Sequence, residues 1–279
     1  GDMGQVVDVW FTEDTARSMP TEMVDVPEEI ASLPNVAGFG NVYSLHQAMA
    51  RDASGNLRAL VEQFAAEADA AARQGLAPQM LYTWAGVADV APDSRGSNID
   101  ARKVAVLERF LGEEFRQNGS SPDPRPQAAG LLLQAFNKML NSMYQQLMVQ
   151  THLKDAFNSI QLSLDETISD YTFDIYNTVN FLRSKYDNNA EEGLLYMKEF
   201  GEALAIYGSM GSFLIGQLAA QGNSNIEGFL FYLANIGNNI IVGNSSDNKL
   251  FADLEDSVLM GYAGNDSLYG GQGADSLNG

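Results

Sequence analysis

Two aspartates near the end of the chain, Asp266 and Asp275, stand nine residues apart in matching surroundings. Gly261 and Gly264 precede the first, and Gly270 and Gly273 precede the second at the same offsets. Leu268 and Leu277 each follow two residues later. Glycine reaches positive φ at little steric cost, so such spacing suits a tight turn that aims backbone carbonyls inward. An aspartate at the end of that turn adds a hard carboxylate oxygen. Carboxylate and carbonyl oxygens together form the ligand set of Ca²⁺. A lone aliphatic between two outward-facing residues describes a very short strand with one inward side chain.

The same nine-residue register runs further back. Units starting at residues 234, 243, 252, 261 and 270 place Ile241, Leu250, Leu259, Leu268 and Leu277 at position eight. Position six holds Asn239, Asn248, Ser257, Asp266 and Asp275, all small and oxygen-bearing. Position four holds Gly237, Ser246, Glu255, Gly264 and Gly273, so the early units are degenerate and the last two regular. One such unit cannot bury its aliphatic alone, whereas stacked units bury a ladder. Gly279 falls at position one of a sixth unit, which reads as a cut within a longer repeat array.

"GGQGADSLN", Gly270–Asn278, matches the G-G-x-G-x-D-x-U-x nonapeptide, and "GYAGNDSLY", Gly261–Tyr269, departs only at Tyr262. These units resemble the RTX (repeats-in-toxin) family of haemolysin-type, calcium-binding exoproteins. The resemblance implies a parallel β-roll in which two units make one coil and Ca²⁺ lies between turns two units apart. It pairs the Asp266 turn with residues 243–248, where Asn248 or Asp247 supplies oxygen. It pairs the Asp275 turn with residues 252–257, where Glu255 replaces the glycine and Asp256 or Ser257 remains as a donor. The implied metal set is therefore Asp266, Asp275, Asn248, Asp247, Gly261, Gly264, Gly270 and Gly273. It also implies secretion, by a type I route. "DVWFTEDTARS", "LPNVAGFGNVYSLHQAMARD", "WAGV" and "DSRGSNIDARKVAVLERFLGEEF" are similar to the region before the repeats in Frp-type iron-regulated RTX proteins. In those proteins a self-processing module cleaves an Asp-Pro bond. Asp123-Pro124 here lies in a Pro-rich loop without Asp/Gly-rich motifs and reads as a plain loop.

The elements ahead of the repeats follow from periodicity. Residues 1–34 read as an extended arm or strand pair, and residues 33–40 as a linker. Val42, Leu45 and Met49 share a helical face, as do Leu57, Leu60, Val61, Phe64 and Ala68. "APQMLYTWAGV" reads as a short apolar closure of that hairpin, and "DVAPDSRGSN" as a loop. Asn98 or Asp100 is expected to cap a helix carrying Ile99, Leu107, Phe110, Leu111 and Phe115. After the Pro-rich residues 118–127, Leu132, Leu133, Phe136, Met139, Leu140, Met143, Tyr144, Leu147 and Met148 recur at three and four, as a core-facing helix does. Ile160, Leu162 and Leu164 alternate, as do Tyr171 and Phe173, which predicts a hairpin. Helices are expected again from Asp174 to Tyr186 and from Glu191 to Tyr207.

The expected fold is therefore mainly α: an arm (1–34), a helical domain with a small β-hairpin (35–233), and the start of a parallel β-roll (234–279). The 279 residues carry a net charge of −20, which disfavours nucleic acid and anionic membranes. There is no cysteine, so disulfides and thiolate metal sites are excluded. "GDMGQVVDVW" has neither the basic start nor the apolar run of a leader. Residues 203–226 contain no charge, and only Glu227 interrupts before Asp247. That stretch reads as buried core helices. A membrane-inserting toxin module across 203–243 is the alternative, since about 20 uncharged apolar residues can span a bilayer. No H-E-x-x-H, G-x-S-x-G or P-loop occurs, and His46 and His152 are isolated, so no enzyme is expected. The expected role is a calcium-binding segment whose helical part caps or adapts the roll, structural or adhesive, with a host or cell-surface partner conceivable for the helices.

Overall fold

The computed structural model describes residues 23–115, 123–165, 170–208, 210–211, 213–215, 218, 240–242, 247, 249–251, 257–261, 264–270 and 275–279. The chain is mainly helical and divides into two compact units, Gly1–Leu147 and Met148–Gly279. The division falls inside a long helix, whereas the sequence places 35–233 in one domain. Most of the expected arm, residues 1–22, lies outside the described residues. Its end is not extended throughout: α1 (Glu28–Ala31) forms a single turn after Pro27 and buries Ile30.

In the first unit, α2 (Leu45–Arg51) is capped by Ser44, whose hydroxyl accepts from the Gln47 N–H. Asp52 then organises the turn into α3 (Asn56–Ala66): Oδ1 accepts from the Ser54 N–H at 2.9 Å and Oδ2 from the Leu57 N–H at 2.8 Å. Leu57, Val61 and Phe64 are buried as their spacing predicts, while Ala68 lies beyond the helix and is exposed.

α4 (Ala70–Trp84) corrects the sequence reading. The apolar stretch from Ala77 is not a short closure but the second half of one continuous helix. Pro78 sits inside it, where proline costs about 3 kcal/mol. Burial of Leu76, Ala77, Met80, Leu81, Tyr82 and Trp84 offsets that cost. Asp69 caps the start by accepting from the Ala72 N–H at 2.7 Å.

Of the two proposed caps for α5 (Ala101–Leu111), Asp100 is the one used, accepting from the Arg102 N–H at 2.9 Å. Gly112, at φ 71°, ends the helix in the left-handed region. Val104, Val106, Leu107 and Phe110 are buried, but Leu111 is exposed. α6 (Pro126–Gln150) begins at a proline, a residue that suits a first helical position. Phe136, Leu140, Met143, Tyr144 and Leu147 face the core, and Leu132 and Leu133 pack against Ile99, Val104 and Ala129. The core is aromatic as well as aliphatic. Phe64 meets Tyr144 edge-on at 5.6 Å, Trp84 meets Phe110 edge-on at 5.1 Å, and Tyr82 stacks on Phe136 at 5.9 Å.

In the second unit, α7 (Lys154–Asn158) leads into a hairpin of β1 (Gln161–Asp165) and β2 (Asp170–Asp174). Its antiparallel register sets Leu162 opposite Phe173 and Leu164 opposite Tyr171, as the alternation predicts. α8 (Tyr176–Asn188) and α9 (Ala190–Ala205) follow. Gly193 lets α9 approach α8 closely, because a Cβ there would collide with the Tyr186 backbone. Ile175, Leu182, Met197, Phe200, Ala203 and Leu204 are buried, and Phe157 packs on Phe200 at 5.0 Å.

Beyond α9 the uncharged stretch is two-sided as far as it is described. Leu214, Ile215 and Leu218 are buried, whereas Tyr207, Met210 and Phe213 are exposed. Among the described residues no helix is long and apolar enough to cross a membrane. Most of 203–243, residues 219–239 included, lies outside the described residues.

Candidate metal centre

Five three-residue strands follow at nine-residue intervals: β3 (Ile240–Val242), β4 (Lys249–Phe251), β5 (Val258–Met260), β6 (Ser267–Tyr269) and β7 (Ser276–Asn278). They do not pair with their sequence neighbours. β3, β5 and β7 form one parallel sheet, and β4 and β6 another. Ile241 aligns with Leu259 and Leu259 with Leu277, while Leu250 aligns with Leu268. Every position-eight aliphatic thus meets the one two units away. Leu259, on the middle strand of three, is fully buried, whereas Leu277, on the last, is 48% exposed.

This pairing sets the described residues ahead of the strands in two columns: Asp247 beside Asn265, before β4 and β6, and Ser257 beside Asp275, before β5 and β7. Within a turn, the aspartate folds back on the glycine that opens it. A Cβ on Gly261 would collide with Asp266 Oδ2, and a Cβ on Gly270 would lie 2.6 Å from Asp275 Oδ2. Positions 261 and 270 are therefore glycine because the carboxylate occupies the space a side chain would fill. Gly264 adopts φ 126°, a conformation that other residues rarely take. Asp266 Oδ2 is withdrawn from solvent.

Each column also carries one carboxylate-to-amide bond between coils. Asp275 Oδ1 accepts from the Ser257 N–H at 2.9 Å, and Asp247 Oδ1 accepts from the Asn265 N–H at 2.7 Å. Both span eighteen residues. The structure thus brings Asp266 to Gly261, Asp275 to Gly270, and Asp247 to the turn that holds Asp266. Asn248 and Gly273 lie outside the described residues. The Asp247–Asn265 bond was not expected from the motif, since both residues sit at an unconstrained position of the unit, and an acid at position five, eighteen residues before an ordinary amide, is the signal that could have found it.

The residues fit a calcium ion on this evidence. Both carboxylates turn into cradles that only glycine leaves open, and a carboxylate oxygen is a hard donor suited to Ca²⁺. Among the described residues no three His, Asp or Glu side chains gather as a metal cluster.

Residues 233–256 and 254–279 match the family model of the RTX calcium-binding nonapeptide repeat, four copies. This chain carries RTX repeats. RTX nonapeptides bind calcium ions, and calcium is the cofactor of this segment. The RTX match begins within one residue of the start at 234 read from the register. No curated protein and no solved structure matches the chain.

His46 and the Asp123-Pro124 segment are both held by hydrogen bonds. His46 Nε2 is 2.8 Å from the Leu33 carbonyl oxygen, and the His46 N–H donates to Asn35 Oδ1. The Asp123-Pro124 segment is tied down from both sides. Arg95 Nη2 donates to Asp123 Oδ2 at 3.3 Å, and Asn98 Nδ2 donates to the Pro124 carbonyl at 3.0 Å. Arg95 Nη1 also donates to Glu108 at 2.6 Å, anchoring this loop to α5.

Proposed function

We propose that the chain is a calcium-dependent structural segment of a secreted RTX exoprotein, in which ion binding completes a parallel β-roll from residue 234 onward. The observation that carries this is the tucking of Asp266 and Asp275 against the opening glycines of their own turns. Bound calcium supplies positive charge between stacked turns, offsetting carboxylates in a chain of net charge −20. Asp266 and Asp275 hold it with turn carbonyls of Gly261, Gly264, Gly270 and Gly273, and Asn248 lies at the matching position one coil earlier. Affinity of about 10⁻⁴–10⁻³ M, typical of extracellular calcium modules, would keep the roll loose inside the cell and fold it outside, after type I export.

The helical part has no catalytic role in this reading. It serves as a cap or adaptor for the first coil, whose degenerate units suit a terminal position. The exposed Tyr207, Met210 and Phe213 are compatible with an adhesive use of the second unit.

Calcium titration of the full chain, followed by near-UV circular dichroism of the repeat tyrosines and by thermal melting, tests the reading. A calcium-dependent transition lost in Asp266→Asn is expected. Indifference of both signals to calcium would overturn it. Leakage from zwitterionic liposomes would replace it with the membrane-active reading.

A further inference from the structure

Gln47, on the first turn of α2, is 5% exposed, and both ends of its side-chain amide are taken by one residue of the preceding arm. The Val24 N–H donates to Gln47 Oε1 at 2.8 Å, and Gln47 Nε2 donates to the Val24 carbonyl at 2.7 Å. In an extended chain the N–H and C=O of one residue point the same way, so the glutamine imitates a single rung of a β-ladder. The arm is still extended at Pro27, with φ −57° and ψ 150°. Its side chains alternate: Val24 and Val26 are partly buried, while Met23 and Asp25 are exposed. The clasp therefore reads a main chain and two inward valines, and nothing of the aspartate between them.

The same three residues occur twice in the arm. Val24-Asp25-Val26 follows Glu22 and Met23, and Val7-Asp8-Val9 follows Gln5 and Val6. The two copies stand seventeen residues apart, each with a polar and then an apolar residue ahead of it.

We propose that Gln47 is a main-chain clasp with two ligands in this chain: Val24–Val26, which occupies it in the structure, and Val7–Val9, which takes its place in a second register of the arm. The clasp bonds only backbone atoms, so the second copy offers it the same donor and acceptor. Val7 and Val9 match the two inward valines, and Asp8 falls where Asp25 is exposed. An empty clasp would leave a donor and an acceptor buried without partners, which favours a substitute whenever the resident segment leaves. The resident copy has the advantage of position, because Pro27 leads straight from it into α1. From Val9 the loop to α1 is seventeen residues longer, which disfavours the second register by about tenfold. That register anchors the arm at an earlier point and draws whatever precedes residue 7 toward the first unit. It involves no repeat residue and does not depend on the calcium reading.

Amide exchange of Val7 and Val24, followed by NMR on the full chain in CaCl2, tests this. Val24→Pro suits an extended backbone but removes the N–H that the clasp accepts. A second variant, Val24→Ala with Val26→Ala, keeps every N–H and weakens the resident copy only through its side chains, and serves if the proline variant does not fold. The parent should protect the Val24 amide well above that of Val7. Either variant should slow Val7 exchange by about fivefold or more, and adding Gln47→Leu should return it to the parent rate. Val7 exchange unchanged in the folded variants would overturn the proposal. So would slowing that survives Gln47→Leu, which would place Val7 elsewhere. Slowing that grows with protein concentration, together with a dimer in sedimentation, would overturn the intrachain register in favour of arm exchange between copies.

Discussion

Residues 45–111 and residues 240–279 both turn the chain every few residues, but they fix their turns differently. In the helical part a side chain at three of the four helix starts accepts a backbone amide nearby in sequence: Ser44 for Gln47, Asp69 for Ala72, Asp100 for Arg102. The helix bodies are then held by burial of Val61, Phe64, Leu81 and Leu107. In the repeats the same chemical device, a carboxylate on an amide, reaches eighteen residues away. Burial is thin there: among the described position-eight side chains Leu259 is fully buried, Leu250 and Leu268 are half-buried and Leu277 is exposed. Helices close locally and borrow stability from packing. A parallel array has only non-local pairings, so its carboxylates must do what local geometry does in a helix, and the resulting charge calls for a cation.

The contrast can be broken most forcefully in the core. Phe64→Ala removes a fully buried ring that meets Tyr144 edge-on, and should cost about 3–5 kcal/mol in urea unfolding followed by far-UV circular dichroism. The loss should be the same in CaCl2 and in EDTA. A loss that calcium repairs would mean that the two regions share their energetics. Gly261→Ala is the reciprocal probe. Its Cβ would displace Asp266 Oδ2, so calcium affinity should fall about tenfold, in line with overpacking costs of about 1–3 kcal/mol. The melting of the helical part should not change, and calorimetry beside far-UV melting checks both.

The smallest expected effect concerns a local carboxylate. Asp100→Ala should cost about 1 kcal/mol at neutral pH, the usual worth of an N-cap. Burial pushes the Asp100 carboxyl up, but hydrogen bonds from the Arg102 side chain and backbone, with the Arg102 and Lys103 charges, hold it below its ordinary 3.8. A lowered folded-state value means stability that is complete above 3.8 and lost as pH falls through the folded value. The gap between parent and variant should therefore close below pH 3.8, with or without calcium. Urea unfolding at stepped pH measures it.

What could be read in advance depended on whether the deciding interaction is periodic. The 126–150 helix and the 161–174 hairpin announce themselves because one face of each is apolar at a fixed step. The site's glycines and aspartates were legible for the same reason. α4 was not, because Pro78 looks like a breaker and only its buried neighbours show that packing overrides it. The single turn of α1 was missed because it lies among acids and breakers that suit an extended arm equally well. The Asp247–Asn265 and Asp275–Ser257 bonds escaped for another reason: the two-unit offset was expected, but these carboxylates were read as metal donors, and nothing in the motif aims them at a backbone amide.

Stacking at every second unit gives the array a parity. Odd and even nonapeptides build separate sheets and separate columns of turns, although they alternate along one chain. Excision of a single unit, residues 252–260 for instance, would preserve every aliphatic at its step of nine and still exchange the columns. The Asp266 turn would then face residues 234–239 instead of the turn that carries Asp247. Units lost or duplicated in pairs would leave the facing classes intact. An array of this kind can therefore lengthen smoothly in whole coils, while a change by half a coil re-partners every turn beyond it.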